Sequence, residues 1–518
     1  MTPPPSAFGL AAPHALATHA GERAWLAGGN AVDAALAAAV ALTVVYPHQC
    51  ALGGDLIALV ARPDGRVLAV NGSGAAPLAA DPDALGLASM PVTGPLTVTV
   101  PGVLAGWATL SELAGRLPFR LLFEQAIRYA REGVPTAPGV AAALRLEAEH
   151  LRADPGIGEI FFPGGQPLAE GRPLVQPALA DTLSAVAEQG PDAFYAGALG
   201  AGLAARLRAM GSPLSAEDLA RHATEVAEPL SAVFRGEEYL TAPPNSQGLH
   251  LLQILGLIDR LPDSPGAGLL ARVFEAASRD RDRHLADPRH ADVPVGTLLG
   301  GAHLDALAEQ VLAGGGCGAG RAGAGARPSG DTVAVVAADG AGNAVSLIQS
   351  LFHSFGSGIL DPVTGVILHN RGAFFDLAPG APNRLAGGKR PAHTLMPVLT
   401  RRDGVLSGAH GTMGGKAQPQ IHAQLALRLH AGDDPAAALR HPRWVVGGLE
   451  VDAPAGTVAA ESTVPDGTVA SLRAAGFPVT IGTELDEEVG HGQLVRRAGD
   501  GFRAASDPRC DGSAVTRD

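Results

Sequence analysis

SGDTVAVVAADGAGNAVSLIQSLFHSFGSG, residues 329–358, holds two apolar runs on either side of a tight turn. Thr332–Ala338 is rich in β-branched and small apolar side chains and reads as a strand. The turn Asp339-Gly340-Ala341-Gly342-Asn343 follows, and Ala344–Ile348 begins the returning strand. Upstream, residues 313–330 (AGGGCGAGRAGAGARPSG) are Gly- and Ala-rich with no apolar period. Such a segment buries too little surface to offset its ordering entropy, so it reads as mobile. Thr332 stands where the mobile approach meets the rigid strand. A threonine hydroxyl is a poor nucleophile without a base beside it. Cutting the bond before Thr332 would free an α-amine with a pKa near ~8, which can serve as that base. The ordinary alternative is a surface loop running into a plain strand.

The 518 residues suffice for a large core or two lobes, and 46% hydrophobic with 17% charged residues is a globular composition. The net charge of −13, with no run of Lys or Arg, argues against nucleic acid or an anionic membrane as partner. Three cysteines, Cys50, Cys317 and Cys510, with no CxxC pair, indicate neither a disulfide framework nor a zinc site. The opening MTPPPSAFGLAAPHALATHAG lacks a basic segment followed by an apolar core, so a cytoplasmic location is expected. Ala34–Tyr46 is far shorter than the ~20 apolar residues a bilayer span requires.

Outward from the hairpin, Gly28-Gly29-Asn30-Ala31-Val32-Asp33 opens a helix that is apolar on every face. Asn30 suits its cap and Asp33 its N-terminal dipole. Cys50-Ala51-Leu52-Gly53-Gly54-Asp55 is a glycine turn into the strand LIALVA. Ser215 with Asp218 caps another helix, and Ala242–Gly248 (APPNSQG) opens the helix LHLLQILGLID. Val273–His290 reads as a helix ending in a charged cluster. A metal reading of His284, Asp287 and His290 is weak there, because solvated helix ends look the same. The tail 450–495 alternates short strands with one helix.

Thr332, the element Gly342-Asn343-Ala344-Val345-Ser346, Phe355-Gly356-Ser357-Gly358, Gly365 and His369-Asn370-Arg371-Gly372 occur in this order. Together with Gly28–Ala35 and the Gly53-Gly54 turn, they resemble the γ-glutamyltranspeptidase family of N-terminal-nucleophile hydrolases, over roughly residues 10 to 495. The resemblance implies a four-layer αββα sandwich (α/β, α+β). It implies a precursor cleaved between Asp331 and Thr332 into a large piece, 1–331, with the mobile linker 313–331, and a small piece, 332–518, that share one core.

The implied roles follow by position. Thr332 is the nucleophile, both for self-cleavage and for attack on a substrate amide. Gly414 and Gly415 present consecutive backbone N–H groups before a helix and would hold the oxyanion. Ser350 falls where the family has a hydroxyl bonded to the nucleophile. His393 and Thr394 fall where relatives have a serine pair contacting substrate. The arginine that grips the α-carboxylate in well-known members is replaced by Ser73, and the aspartate for the α-amine by Phe374. Arg371 stands in place of a glutamine and suits bidentate pairing with a carboxylate. The expected activity is transfer of a γ-glutamyl-type acyl group to water or an amine, as in glutathione hydrolysis. The altered clamp leaves open an amidase for another carboxylate-bearing acyl group, such as an oxamate-like amide, and an unprocessed non-catalytic binding protein. No cofactor or metal is implied, and a homodimer is left open.

Overall fold

The computed structural model describes residues 7–314, 330–447 and 456–518. Most of the 313–331 linker expected to be mobile lies outside these residues.

Two antiparallel sheets form the centre. The first runs Ser513–Arg517, Phe8–Ala12, Gly330–Asp339, Ala344–His353, Asp55–Ala61, Val67–Asn71, Glu225–Ala227. The second runs Gly501–Ser506, Gly492–Ala498, Val405–Thr412, Val398–Arg402, Glu237–Thr241, Leu230–Phe234. Side chains alternate along a strand, so the hairpin feeds two cores at once. Ala334, Val336, Ala338, Ala344 and Ile348 face the second sheet, while Val333, Val335, Ala337, Val345 and Leu347 face helices. Small side chains bring the sheets close. A Cβ on Gly411 would lie 2.7 Å from that of Ala334 and 2.9 Å from Ile348 Cδ1, well inside contact distance.

Helices Ala15–Leu26 and Ala31–Val45 cover the first sheet, and every residue of the second of these is buried. Its Asn30 cap is reciprocal. Asn30 Oδ1 accepts from the N–H groups of Val32 and Asp33, and Asp33 Oδ2 accepts from Asn30 N. Such a cap contributes about 1 kcal/mol. Asp339 at the hairpin turn accepts from Ala31 N at 3.0 Å, tying the turn to this helix. Gly248–Ile258, Ala267–His284 and Gln418–His430 cover the second sheet. The result is the expected αββα sandwich.

Two local readings change. The helix expected at 273–290 begins at Ala267 and ends at His284, with Leu285 extended. Asp287 precedes Pro288, which disfavours helix there. The strands Gly501–Ser506 and Ser513–Arg517, beyond the tail read from sequence, each complete one sheet edge.

Candidate active site

The alternation that builds the core also sets the site. Asp55 shares its face with Ile57 and Leu59, and Ser350 shares its face with Ile348; both faces look into the gap between the sheets. Ser350 pairs directly with Asp55. On its other side the pairing steps from Gln349↔Val333 to Phe352↔Asp331, so Ser350 and Leu351 together oppose Thr332. This bulge aims Ser350 at Thr332 and gives Phe352 a φ of 82°.

The hydroxyls form a directed chain. Thr332 Oγ1 donates to Ser350 Oγ at 3.1 Å, and Ser350 Oγ donates to the Asp331 carbonyl at 2.6 Å. Phe352 N–H donates to Ser350 Oγ at 2.7 Å, which settles which way the serine proton points. Thr332 is 1% exposed. The strand Gly330–Asp339 spans the Asp331–Thr332 bond.

From the second sheet, Val405–Thr412 leads into Gly414 and Gly415, at φ 150° and 49°, and the turn packs against the strand Gly330–Asp339. Among the described residues neither glycine N–H donates to a backbone carbonyl. Gln247 Nε2 donates to the carbonyls of Gly415, at 2.8 Å, and Thr394, at 2.7 Å. The loop after Ala242 thus fastens the glycine turn to the segment carrying His393.

Beside this row lies a wholly buried charged cluster. Asp55, His369, Arg371 and His393 are each 0% exposed. Asp55 Oδ2 lies 3.1 Å from His393 Nε2, 3.3 Å from His369 Nδ1 and 3.9 Å from Arg371 Nε, while Oδ1 accepts from Gly74 N at 3.0 Å. Burial opposes the charge on Asp55, but His369 and His393 outweigh it and hold the carboxyl far below the usual carboxylate range. His393 Nδ1 accepts from Leu395 N at 3.2 Å, so its proton is on Nε2 and points at Asp55. Burial, then the charge of Arg371, lowers His393 to about 4, so the ring is neutral at pH 7.

Arg371 is held above the Phe352 ring, its Cζ 4.0 Å from the centroid, and its Nη1 donates to Thr394 Oγ1 at 3.3 Å. Its Nε and Nη2 have no hydrogen-bond partner. Burial lowers the guanidinium to about 9 against the pull of Asp55, which leaves it charged at neutral pH. Nε and Nη2 form one side of the guanidinium fork, the edge that takes a carboxylate through two parallel hydrogen bonds.

The structure therefore brings Thr332 to Ser350 and Arg371 to Thr394. It places His393 against Asp55 with both ring nitrogens engaged. Ser73 is buried, donating to Asn71 Oδ1 at 2.7 Å and accepting from Asn245 Nδ2 at 3.3 Å. Phe374 packs edge-on against Phe352 and, with Lys416, Met90 and Leu285, lines a cavity of about 570 Å³. This cavity also touches Ala392 and Ala373, the neighbours of His393 and of the Arg371 segment. Asp287 of the weak metal reading accepts from Arg289 Nη2 at 2.5 Å and Arg390 N at 2.8 Å. Asp55 and His369 received no role in the sequence reading. The signal was present for Asp55, an acid heading the otherwise apolar strand DLIALVA directly after two glycines.

A family model described as gamma-glutamyltranspeptidase matches residues 17–516. An oxamate amidohydrolase proenzyme of Klebsiella pneumoniae is 38% identical over 98% of this chain and 98% of its own. The glutathione hydrolase-like YwrD proenzyme of Bacillus subtilis is 35% identical, also over 98% of each chain. Among solved structures, a cephalosporin acylase from Bacillus halodurans aligns with a TM-score of 0.87 at 32% identity, covering 99% of this chain and 96% of that one. No described helix is long and apolar enough to cross a membrane.

Proposed function

The chain belongs to the γ-glutamyltranspeptidase family and is an enzyme of it, and we propose that it is a self-cleaving amidohydrolase for a short, carboxylate-bearing amide of the oxamate type.

Self-cleavage begins with Thr332 Oγ1 attacking the Asp331 carbonyl carbon. The Ser350 hydroxyl already donates to that carbonyl oxygen and stabilises the charge that develops on it. The C–N bond breaks, the acyl group passes to Thr332 Oγ1, and water hydrolyses the ester. The products are the Asp331 carboxylate and the free α-amine of Thr332. That amine then takes the hydroxyl proton when Thr332 attacks the substrate amide. The Gly414 and Gly415 N–H groups receive the oxyanion, the protonated amine product leaves, and water or an amine takes the acyl group.

The observation that carries the substrate class is the buried Arg371 edge with two unused donors. An unpaired buried donor costs about 1–3 kcal/mol, and more on a charged group. A substrate carboxylate removes that cost. The edge lies over Phe352, whose Cα pairs with Asp331. An anchor stacked on the residue that pairs with Asp331 favours a short substrate whose carboxylate lies close to the reacting carbonyl, as in oxamate. A γ-glutamyl group carries its carboxylate several bonds further away and needs an acid for its ammonium. Phe374 is no acid, and the oxygens of Asp55 are engaged by His393, His369 and Gly74.

The test is side-by-side turnover of oxamate and γ-glutamyl-p-nitroanilide by the processed enzyme. Oxalate and ammonia should form from oxamate with the higher kcat/KM. Faster turnover of the anilide would transfer the reading to γ-glutamyl amides.

A further inference from the structure

Asp55 and Arg371 present a puzzle. Two opposite charges, both fully buried, stop with Arg371 Nε 3.9 Å from Asp55 Oδ2, which is too long for a hydrogen bond. A buried carboxylate beside a guanidinium with a vacant two-donor edge would ordinarily close onto that edge. Something restrains it, and the contacts identify what.

We propose that His393 is a positioning residue that holds the Asp55 carboxylate off the Arg371 edge, so that the cation is neutralised from a distance while its donors remain open to the substrate carboxylate. The inference rests on the oxamate-type reading and goes beyond it by naming what keeps the anchor open. His393 Nε2–H grips Asp55 Oδ2 at 3.1 Å. The ring cannot turn away without losing the Leu395 N–H to Nδ1. The backbone is fixed on both sides, with His393 N donating to Asn245 O at 2.8 Å and Gln247 N donating to His393 O at 2.9 Å. On the far side Gly74 N holds Oδ1, and His369 Nδ1 lies 3.3 Å from Oδ2, so the carboxylate is suspended among three groups, with His393 the side chain that donates to Oδ2. The 3.9 Å gap still lets Asp55 offset the charge of a guanidinium that would otherwise be costly to bury. Charge balance and hydrogen-bonding capacity are thereby divided between two partners.

The experiment is steady-state kinetics on oxamate, with the two fragments confirmed by intact mass for each variant. In His393→Ala the Asp55 carboxylate loses its donor on Oδ2 and can shift towards Arg371. KM should rise about tenfold or more, corresponding to about 1.4 kcal/mol or more, with kcat changed far less. Adding Asp55→Asn to His393→Ala removes the competing carboxylate and should recover part of that KM. His393→Gln, which keeps an N–H donor at this position, should stay closer to the wild-type KM than His393→Ala does. If His393→Ala fails to process, Asp55→Glu takes its place, because the longer arm reaches the edge and should raise KM in the same way. An unmoved KM in the processed variant, or a double variant no better than the single one, overturns the inference. Absence of oxamate turnover in the wild type overturns the oxamate-type reading along with it. Wild-type turnover with an unmoved KM in His393→Ala overturns this inference alone.

Discussion

The hydroxyl row at Thr332 and the charged cluster at Arg371 adjoin where Ser350 pairs with Asp55, yet they are finished differently. Around Thr332 the hydroxyls form a closed sequence, from threonine to serine to the Asp331 carbonyl, with Phe352 N–H completing the serine. Around Arg371 the protein supplies a π face, one hydroxyl and a carboxylate held at a distance, and leaves two donors unused. The first region is closed by partners within the chain, whereas the second keeps two donors that no group fills among the described residues. Reaction and recognition are thus separable here, although only a strand spacing divides them.

Thr332→Ala should have the largest effect. It removes the nucleophile of both reactions, so intact-mass measurement should find a single uncut chain and amidase activity should fall to background, a loss on the order of 10⁴-fold or more. Two fragments in that variant would remove Thr332 from both roles. Arg371→Lys should strike the other region alone. An ammonium cannot reproduce the bidentate edge, so kcat/KM for oxamate should drop by about 10²- to 10³-fold while cleavage into two fragments proceeds. A loss of processing in that variant would erase the separation between the two regions. Ser350→Ala should slow self-cleavage by about 10- to 100-fold through loss of the donor on the Asp331 carbonyl, with Ser350→Thr retaining more of the rate, followed by the appearance of fragments over time.

The smallest effect is a change of stability with pH. His393 in the pocket is lowered to about 4 by burial and the charge of Arg371. His48 and His250 are lowered to about 3 and His491 to about 4, with burial the main cause in each. The unfolded chain binds protons at these rings near ~6.5, while the folded chain resists until lower pH. Between those values the unfolded state holds more protons, so stability falls as pH drops from about 6.5 towards 4 and is restored above it. Chemical denaturation at pH 7.5, 6 and 4.5 checks the sign. Unchanged midpoints would mean that these rings are protonated in the fold.

Much of the nucleophile region was legible in the sequence. Neighbours along a strand stay neighbours in space, so Thr332, the turn at Asp339–Asn343 and the returning strand could be read from one stretch. Gly414-Gly415 before a helix is local in the same sense. The capping of Ala31–Val45 by Asn30 and Asp33 was equally visible, since a cap involves residues three apart. The recognition region was not legible in this way. Arg371 was noticed because it stands in place of a family glutamine and Asp55 only as part of a glycine turn, yet the two are separated by more than half the chain's length and meet because the strand of Asp55 pairs with the strand carrying Phe352, over whose ring Arg371 sits.

The amino-acid order by itself determined the alternating strands, the apolar helices and the threonine at the head of its strand, because these depend on periodicity and on contacts within a few residues. Only the tertiary structure decided that Asp55, Ser350 and Thr332 share one face, that a bulge turns Ser350 to Thr332, and that His393 divides its nitrogens between Asp55 and Leu395 N. Those outcomes depend on strand register and on which faces the two sheets turn toward each other. Such properties are set by burial summed over the whole core, and no single stretch of the chain contains them.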